Sequence, residues 1–293
     1  MFDTAISGFA EASKRANPRL PGDYEKDGLL FCGKCHTPKE TIVRMFGSEM
    51  KLSCMCKCAE EDYKRAEIEH RERQRQYRIE QAQDEGFADK SLTECRFEND
   101  DTPDSQMGIT SRKYVEHFKE MSAEGKGLVF FGKLGTGKTY YAACISNALI
   151  EKGYRVLVTS FPRVSNILME RMEGRQEYLD SLDEYDLIVI DDFSAERSTE
   201  YMMETIYTVV DARYKSGKPL IVTTNLTREQ ISDTNSDIRR ARIISRLYEV
   251  CFFVESEGKD RRIKQMKEDY GRLGEMLGLP QRTKKTEEVS NNA

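Results

Sequence analysis

Residues 127–149 read GLVFFGKLGTGKTYYAACISNAL: a short apolar run, a glycine-rich loop and a segment of helical spacing. An apolar run of this length, bounded by glycine, reads as a buried strand, and 140–152 reads as a helix. Glycines between the two let the backbone turn tightly. Its N–H groups then point inward at the helix N-terminus, where the dipole favours anions. The order strand, G-x-x-x-x-G-K-T, helix is therefore a phosphate cradle, with Gly132, Gly135, Thr136, Gly137, Lys138, Thr139 and Tyr140 as candidate nucleotide-binding residues. Lys138 is expected to reach the β- and γ-phosphates of ATP, and the Thr139 hydroxyl to sit on Mg²⁺.

Such a cradle needs an acid at the end of another strand. DLIVIDD at 186–192 supplies it, an apolar strand ending in Asp191 and Asp192. Asp191, with Thr139, is the candidate Mg²⁺ ligand, and Asp192 the group that polarises the attacking water. The next strand, PLIVTTN at 219–225, ends in Asn225, a neutral amide that can position water beside the γ-phosphate. Further outward, apolar runs recur at 128–131, 156–159, 187–190, 220–223 and 250–254, with helical patterns such as 140–152 and 200–215 between the first four. Strands alternating with helices imply βαβ units and a parallel sheet covered on both faces, an α/β fold.

The boundaries expected are a module at 1–85, a connector at 86–127 holding one helix at 111–124, an ATPase domain at 128–280, and a disordered polar tail at 281–293. Residues 59–85 contain no Gly or Pro and are dense in Glu, Arg and Gln, so they predict a solvated helix. Acids outnumber bases there, which argues against a nucleic-acid role for its arginines. A formal charge of −5 likewise excludes coating of nucleic acid by bulk electrostatics; any DNA contact must be a local patch. No apolar run approaches a bilayer span, and residues 1–15 lack an export signal, so a cytoplasmic location without a membrane partner is expected.

Five of the eight cysteines crowd into 32–58. Cys32-x-x-Cys35 is a tight-turn chelate, followed after eighteen residues by Cys54-x-Cys56-x-Cys58. In a reducing compartment such clustering points to a structural zinc site held by four thiolates. Cys32, Cys35, Cys56 and Cys58 are the preferred set, with Cys54 as the alternative and His36 as a sixth possible ligand. The segment between the two groups is long enough for a hairpin around Gly47.

Together these motifs, with SRL at 245–247, resemble an AAA+ ATPase, and more narrowly the DnaC/DnaI-type helicase loaders and IstB-type transposition helpers. The resemblance covers roughly 92–274, and ECRFENDD at 94–101 resembles the family's Phe-containing lead-in. It implies a core built on a five-stranded parallel sheet. It also implies Arg246 as an arginine finger acting on a neighbouring subunit, hence self-association, and Arg262 as the second sensor arginine. The family's aromatic before that arginine is here Arg261, so either of the two could serve. A cysteine module followed by a charged helix resembles that of Gram-positive and phage loaders. The implied partners are a DnaB-type hexameric replicative helicase and single-stranded DNA. DNA would be met by residues 198–201 (Ser198, Thr199, Glu200, Tyr201), with Phe161 and Arg163 as further candidates.

Overall fold

The computed structural model describes residues 18–45, 48–170, 174–193, 200–233, 238–258, 260–274 and 276–278. The chain divides into two compact units, Met1–Arg78 and Ile79–Ala293.

In the first unit, strands β1 (Tyr24–Lys26) and β2 (Leu29–Phe31) pair antiparallel, as do β3 (Glu40–Met45) and β4 (Ser48–Ser53), with Glu40 opposite Ser53. The second pair is the hairpin expected around Gly47, itself outside the described residues. So little apolar surface cannot hold a domain of this size, and polar pins add to it. Lys39 Nζ, almost fully buried, donates to Asp23 Oδ2 at 2.7 Å and to the Pro18 carbonyl at 2.7 Å. That partnership, helped by the Leu20 N–H, holds the Asp23 carboxyl down to about 2. Helix α1 (Lys57–Gly86) follows. Its surface carries the pairs Glu60–Lys64, Asp62–Arg65, Glu67–Arg71 and Glu72–Arg75 at three- and four-residue spacing, each a few tenths of a kcal/mol. Only its Ile79 and Gly86 are buried, so this is the solvated helix that the composition predicts.

In the second unit, two 3₁₀ turns (Lys90–Glu94, Phe97–Asn99) lead to helices α2 (Gln106–Glu116) and α3 (Phe118–Ala123). Two helices stand where one was expected. The Ser105 side chain caps α2 by accepting from the Gly108 N–H, so the helix begins before residue 111. His117 then breaks the run at φ −101°, ψ 23°, and Phe118 turns into the core.

The core is a parallel sheet of β5 (Gly127–Gly132), β6 (Val156–Ser160), β7 (Leu187–Phe193), β8 (Leu220–Thr224) and β9 (Cys251–Ser256), in the order β6-β7-β8-β5-β9. It is the five-stranded AAA+ sheet that the resemblance implies. Alternation along each strand feeds two cores. Val129, Ile188, Ile190 and Val222 face one layer with α5 (Phe161–Glu170), α7 (Glu200–Ser216) and α9 (Ile238–Val250). Leu128, Phe130, Val189 and Ile221 face the other, with α2 and α4 (Lys138–Glu151). Each such side chain, buried on a two-sided sheet, contributes about 1.5–3 kcal/mol. Helices α6 (Arg175–Leu182), α8 (Arg228–Ser232) and α10 (Arg261–Gly274) complete the unit. Arg213, 1 % exposed, donates to the carbonyls of Leu182, Tyr185, Asp186 and Pro219, pinning the end of α7 beneath β7 and β8. Adjacent strands of this order place the ends of β5, β7 and β8 side by side, where the site lies.

Candidate functional site

The loop between β5 and α4 turns through three left-handed glycines: Gly132 at φ 119°, Gly135 at 71° and Gly137 at 97°. A side chain at 135 would also meet the Asp260 carboxylate, 1.8 Å from where its Cβ would stand. Within the loop, Lys138 Nζ donates to the carbonyls of Gly132 (2.9 Å) and Lys133 (2.6 Å), which leaves one of its three donors for a phosphate oxygen. Burial lowers its pKa, opposed by the nearby charges of Asp191 and Asp192. Thr136 donates to Lys133 O at 2.8 Å and accepts from the Ser256 hydroxyl, so β9 braces the loop. Tyr140 borders the same cleft, but its hydroxyl is committed to the Arg96 carbonyl at 2.6 Å.

A cleft of about 500 Å³ is walled by residues 134–140, Asp191, Asp192, Thr223, Asn225, Arg261 and Arg262. The Thr139 hydroxyl donates to Asp191 Oδ1 at 2.8 Å, the pairing a shared Mg²⁺ site needs. Asn225 Nδ2 donates to Asp192 Oδ1 at 3.1 Å, so the amide and the second acid of β7 are adjacent. Asp192 sits at φ 56°, a left-handed backbone uncommon outside glycine, though aspartate tolerates it better than most residues. Residues expected from three separate strands thus meet in one cleft. Oxygen donors from a hydroxyl and a carboxylate suit Mg²⁺, and the loop amides and Lys138 suit a triphosphate. A larger cavity of about 1280 Å³ adjoins the loop at Thr136 and is lined by Asp101, Thr102, Phe253, Asp260 and Arg261. It holds neither Asp191 nor Asp192, so phosphate chemistry belongs to the smaller cleft.

The two arginines at the start of α10 both line the cleft and differ in their other partners. Arg261 pairs with Asp101 at 3.1 Å, donates to the Thr102 hydroxyl and lies over the Tyr141 ring at 5.6 Å. Its backbone N–H reaches the Gly135 carbonyl at 2.9 Å. It ties the lead-in to the phosphate loop. Arg262 borders the cleft, and its charge is felt at Lys138. Arg246 lies elsewhere. On α9 it pairs with Asp211 (3.4 Å) and Glu249 (3.4 Å) and covers the Tyr214 ring at 4.5 Å, away from this chain's own cleft.

Among the DNA candidates, Phe161 is corrected. It is 2 % exposed, edge-on to Phe193 at 6.0 Å, and offers no ring for base stacking. Arg163 is exposed. Ser198 and Thr199 lie outside the described residues, as does the side chain of Tyr201; Glu200 starts α7 and pairs with Arg239.

In the first unit, the sulfurs of Cys32, Cys35, Cys56 and Cys58 all lie within 4.8 Å of one another, with Cys32–Cys58 at 3.6 Å and Cys56–Cys58 at 3.5 Å. Tetrahedral Zn–S bonds of about 2.3 Å set sulfurs about 3.8 Å apart, so these four would hold zinc without a large rearrangement. The Thr37 hydroxyl and the Cys58 backbone pull the Cys35 thiol down to about 5, whereas its crowded neighbours, Cys56 first, push Cys58 up to about 12. Cys54 points instead at the Pro38 carbonyl (3.6 Å), and His36 is outside the group of four.

Two contributors escaped the sequence reading. Thr223 bonds to both carboxylate residues of β7, and Asp260 sits against Gly135. Nothing local in the sequence signals either role.

Sheet order, phosphate loop and acid-tipped neighbouring strand define a P-loop nucleotide-binding protein of the AAA+ type. The chain belongs to the IstB-like ATP binding protein family, whose model matches residues 59–269. It is 31 % identical over 145 residues to the replicative helicase loader DnaC of Escherichia coli (strain K12), covering 47 % of this chain and 58 % of that one. It is 25 % identical over 160 residues to the replicative helicase loader DnaI of Bacillus subtilis (strain 168), covering 51 % of each. The chain thus spans about half the length of the curated relatives it matches. The crystal structure of the DnaC helicase loader superposes at a TM-score of 0.51 and 25 % identity, covering 58 % of this chain and all of that one. Among the described residues, no helix is long and apolar enough to cross a membrane.

Proposed function

We propose that this protein is an ATP-driven loader of a hexameric replicative helicase, and that it hydrolyses ATP in the cleft between β5, β7 and β8. The single observation that supports turnover best is the convergence of Thr139, Asp191, Asp192 and Asn225 at hydrogen-bond distance. Lys138 and the loop amides would bind the β- and γ-phosphates, and Thr139 and Asp191 would hold Mg²⁺. The ion, when bound, neutralises charge developing between those phosphates. Asp192 accepts the proton of the attacking water, and Asn225 orients both. Arg262 draws α10 toward the γ-phosphate. Arg246, occupied on its own chain's surface, would act on the cleft of a neighbouring copy, so turnover would require self-association. A basic contact such as Arg163 would meet single-stranded DNA through a few phosphates.

Loader rather than transposition helper is favoured by the four-sulfur group at the start of α1, a rigid knob suited to recognition when zinc fills it. The IstB-like family match keeps the transposition-helper role as the second reading. Co-purification of the full chain with the hexameric helicase of its host distinguishes them. A stable complex supports the loader; capture of a transposase with no helicase supports the helper.

A further inference from the structure

We propose that Thr223 is a positioning residue for both acids of the cleft, a single hydroxyl that aims Asp191 at the metal and holds Asp192 in its left-handed backbone. The case starts from sheet register. On β7 and β8, Ile190 faces Val222 and Phe193 faces Thr224, so Asp191 and Asp192 together oppose Thr223 alone. Two residues against one is a bulge, which bends its strand, re-aims its side chains and takes a backbone group out of the ladder. That group is the Asp192 N–H, and it donates to Thr223 Oγ1 at 3.0 Å. The same hydroxyl donates its own proton to Asp191 Oδ1 at 2.5 Å. Thr223 is 2 % exposed, so both bonds are largely shielded from solvent.

Asp191 Oδ1 consequently receives two threonine protons, from Thr139 at 2.8 Å and from Thr223. Two donors from different elements fix the carboxylate in the plane and rotation that a Mg²⁺ ligand needs. Meanwhile the bulged backbone, at φ 56°, turns the Asp192 side chain to Asn225. Valine at 223 fits the strand and fills the same volume, yet it can do neither; serine keeps both bonds. The role is legible only in three dimensions, since threonine in a strand is ordinarily a packing residue.

The test uses the full chain and the variants Thr223→Val and Thr223→Ser. The Kd of a fluorescent ATP analogue is measured with Mg²⁺ titrated in and with Mg²⁺ chelated. In chelator, both variants should bind within about twofold of wild type, because loop and Lys138 are intact. The tightening brought by Mg²⁺ should shrink about tenfold or more in Thr223→Val and stay near wild type in Thr223→Ser, the scale of a lost bond to a charged group. Only the accompanying rate measurement rests on the proposed hydrolysis: kcat at saturating Mg–ATP should fall at least tenfold in Thr223→Val, and KM should rise in step with the weakened Mg²⁺-dependent binding. A wild-type protein without turnover would sink the hydrolysis proposal and leave the Mg²⁺ titration to decide Thr223. Wild-type Mg²⁺ response in Thr223→Val, equal loss in Thr223→Ser, or a loss of affinity already present in chelator would each overturn the proposal.

Discussion

Replacing Gly135 by alanine should damage nucleotide binding in two separable ways. Its φ of 71° belongs to the left-handed region, which costs an L-residue about 1–2 kcal/mol. Its Cβ would also stand 1.8 Å from Asp260 Oδ1, so the carboxylate must leave and give up its bond from the Arg262 N–H (2.9 Å), a loss of about 1 kcal/mol. The sum, about 2–3 kcal/mol, corresponds to roughly a thirty- to 150-fold weaker Kd if the loop must be native to bind. Titration of a fluorescent ATP analogue measures it. Adding Asp260→Ser, which shortens the side chain and keeps a capping oxygen, should recover about tenfold or less, because the backbone cost remains. Wild-type affinity in Gly135→Ala would refute the reasoning, and so would a double variant with full affinity.

Three other outcomes are expected. Lys138→Ala should lose ATP affinity by more than tenfold, whereas Asp192→Asn should bind ATP and lose at least a hundredfold in turnover; equilibrium binding beside single-turnover kinetics separates them. Arg246→Ala should bind ATP normally and turn over slowly. Mixing it with Asp192→Asn protein should restore part of the activity, because one mixed interface pairs an intact finger with intact acids; no recovery in demonstrated mixed oligomers counts against a finger acting between subunits. Elemental analysis should find about one zinc per chain, and a chelator should remove structure from the first unit while the second keeps its melting transition, read by hydrogen exchange across residues 18–58.

Much of the fold was legible because its signals are local. The GKLGTGKT loop demands a strand before it and a helix after it, and each strand of the five-stranded sheet announced itself as a short apolar run. The cysteine spacing carried the four-sulfur group for the same reason: the two chelating turns are written within a few residues. What escaped depends on contacts distant in sequence. Phe161 reads as an aromatic after a strand, yet its burial is decided by Phe193 across the layer. Arg261 and Arg262 are adjacent and chemically identical, and only the placement of Asp101, Thr102 and Tyr141 gives the first to the lead-in. The helix expected at 111–124 begins earlier because Ser105 caps it, and it is divided at His117. The role of Thr223 arises from a one-residue slip in register, which composition cannot reveal.

The most direct measurement places hexameric replicative helicase, closed circular single-stranded DNA and ATP together with the full chain, and counts helicase hexamers retained on the circles. A loader should raise retention severalfold over helicase alone. Lys138→Ala should abolish the gain, and Asp192→Asn should leave helicase held in complex without release. Retention unchanged by the protein, or unchanged by loss of Lys138, would contradict ATP-driven helicase loading.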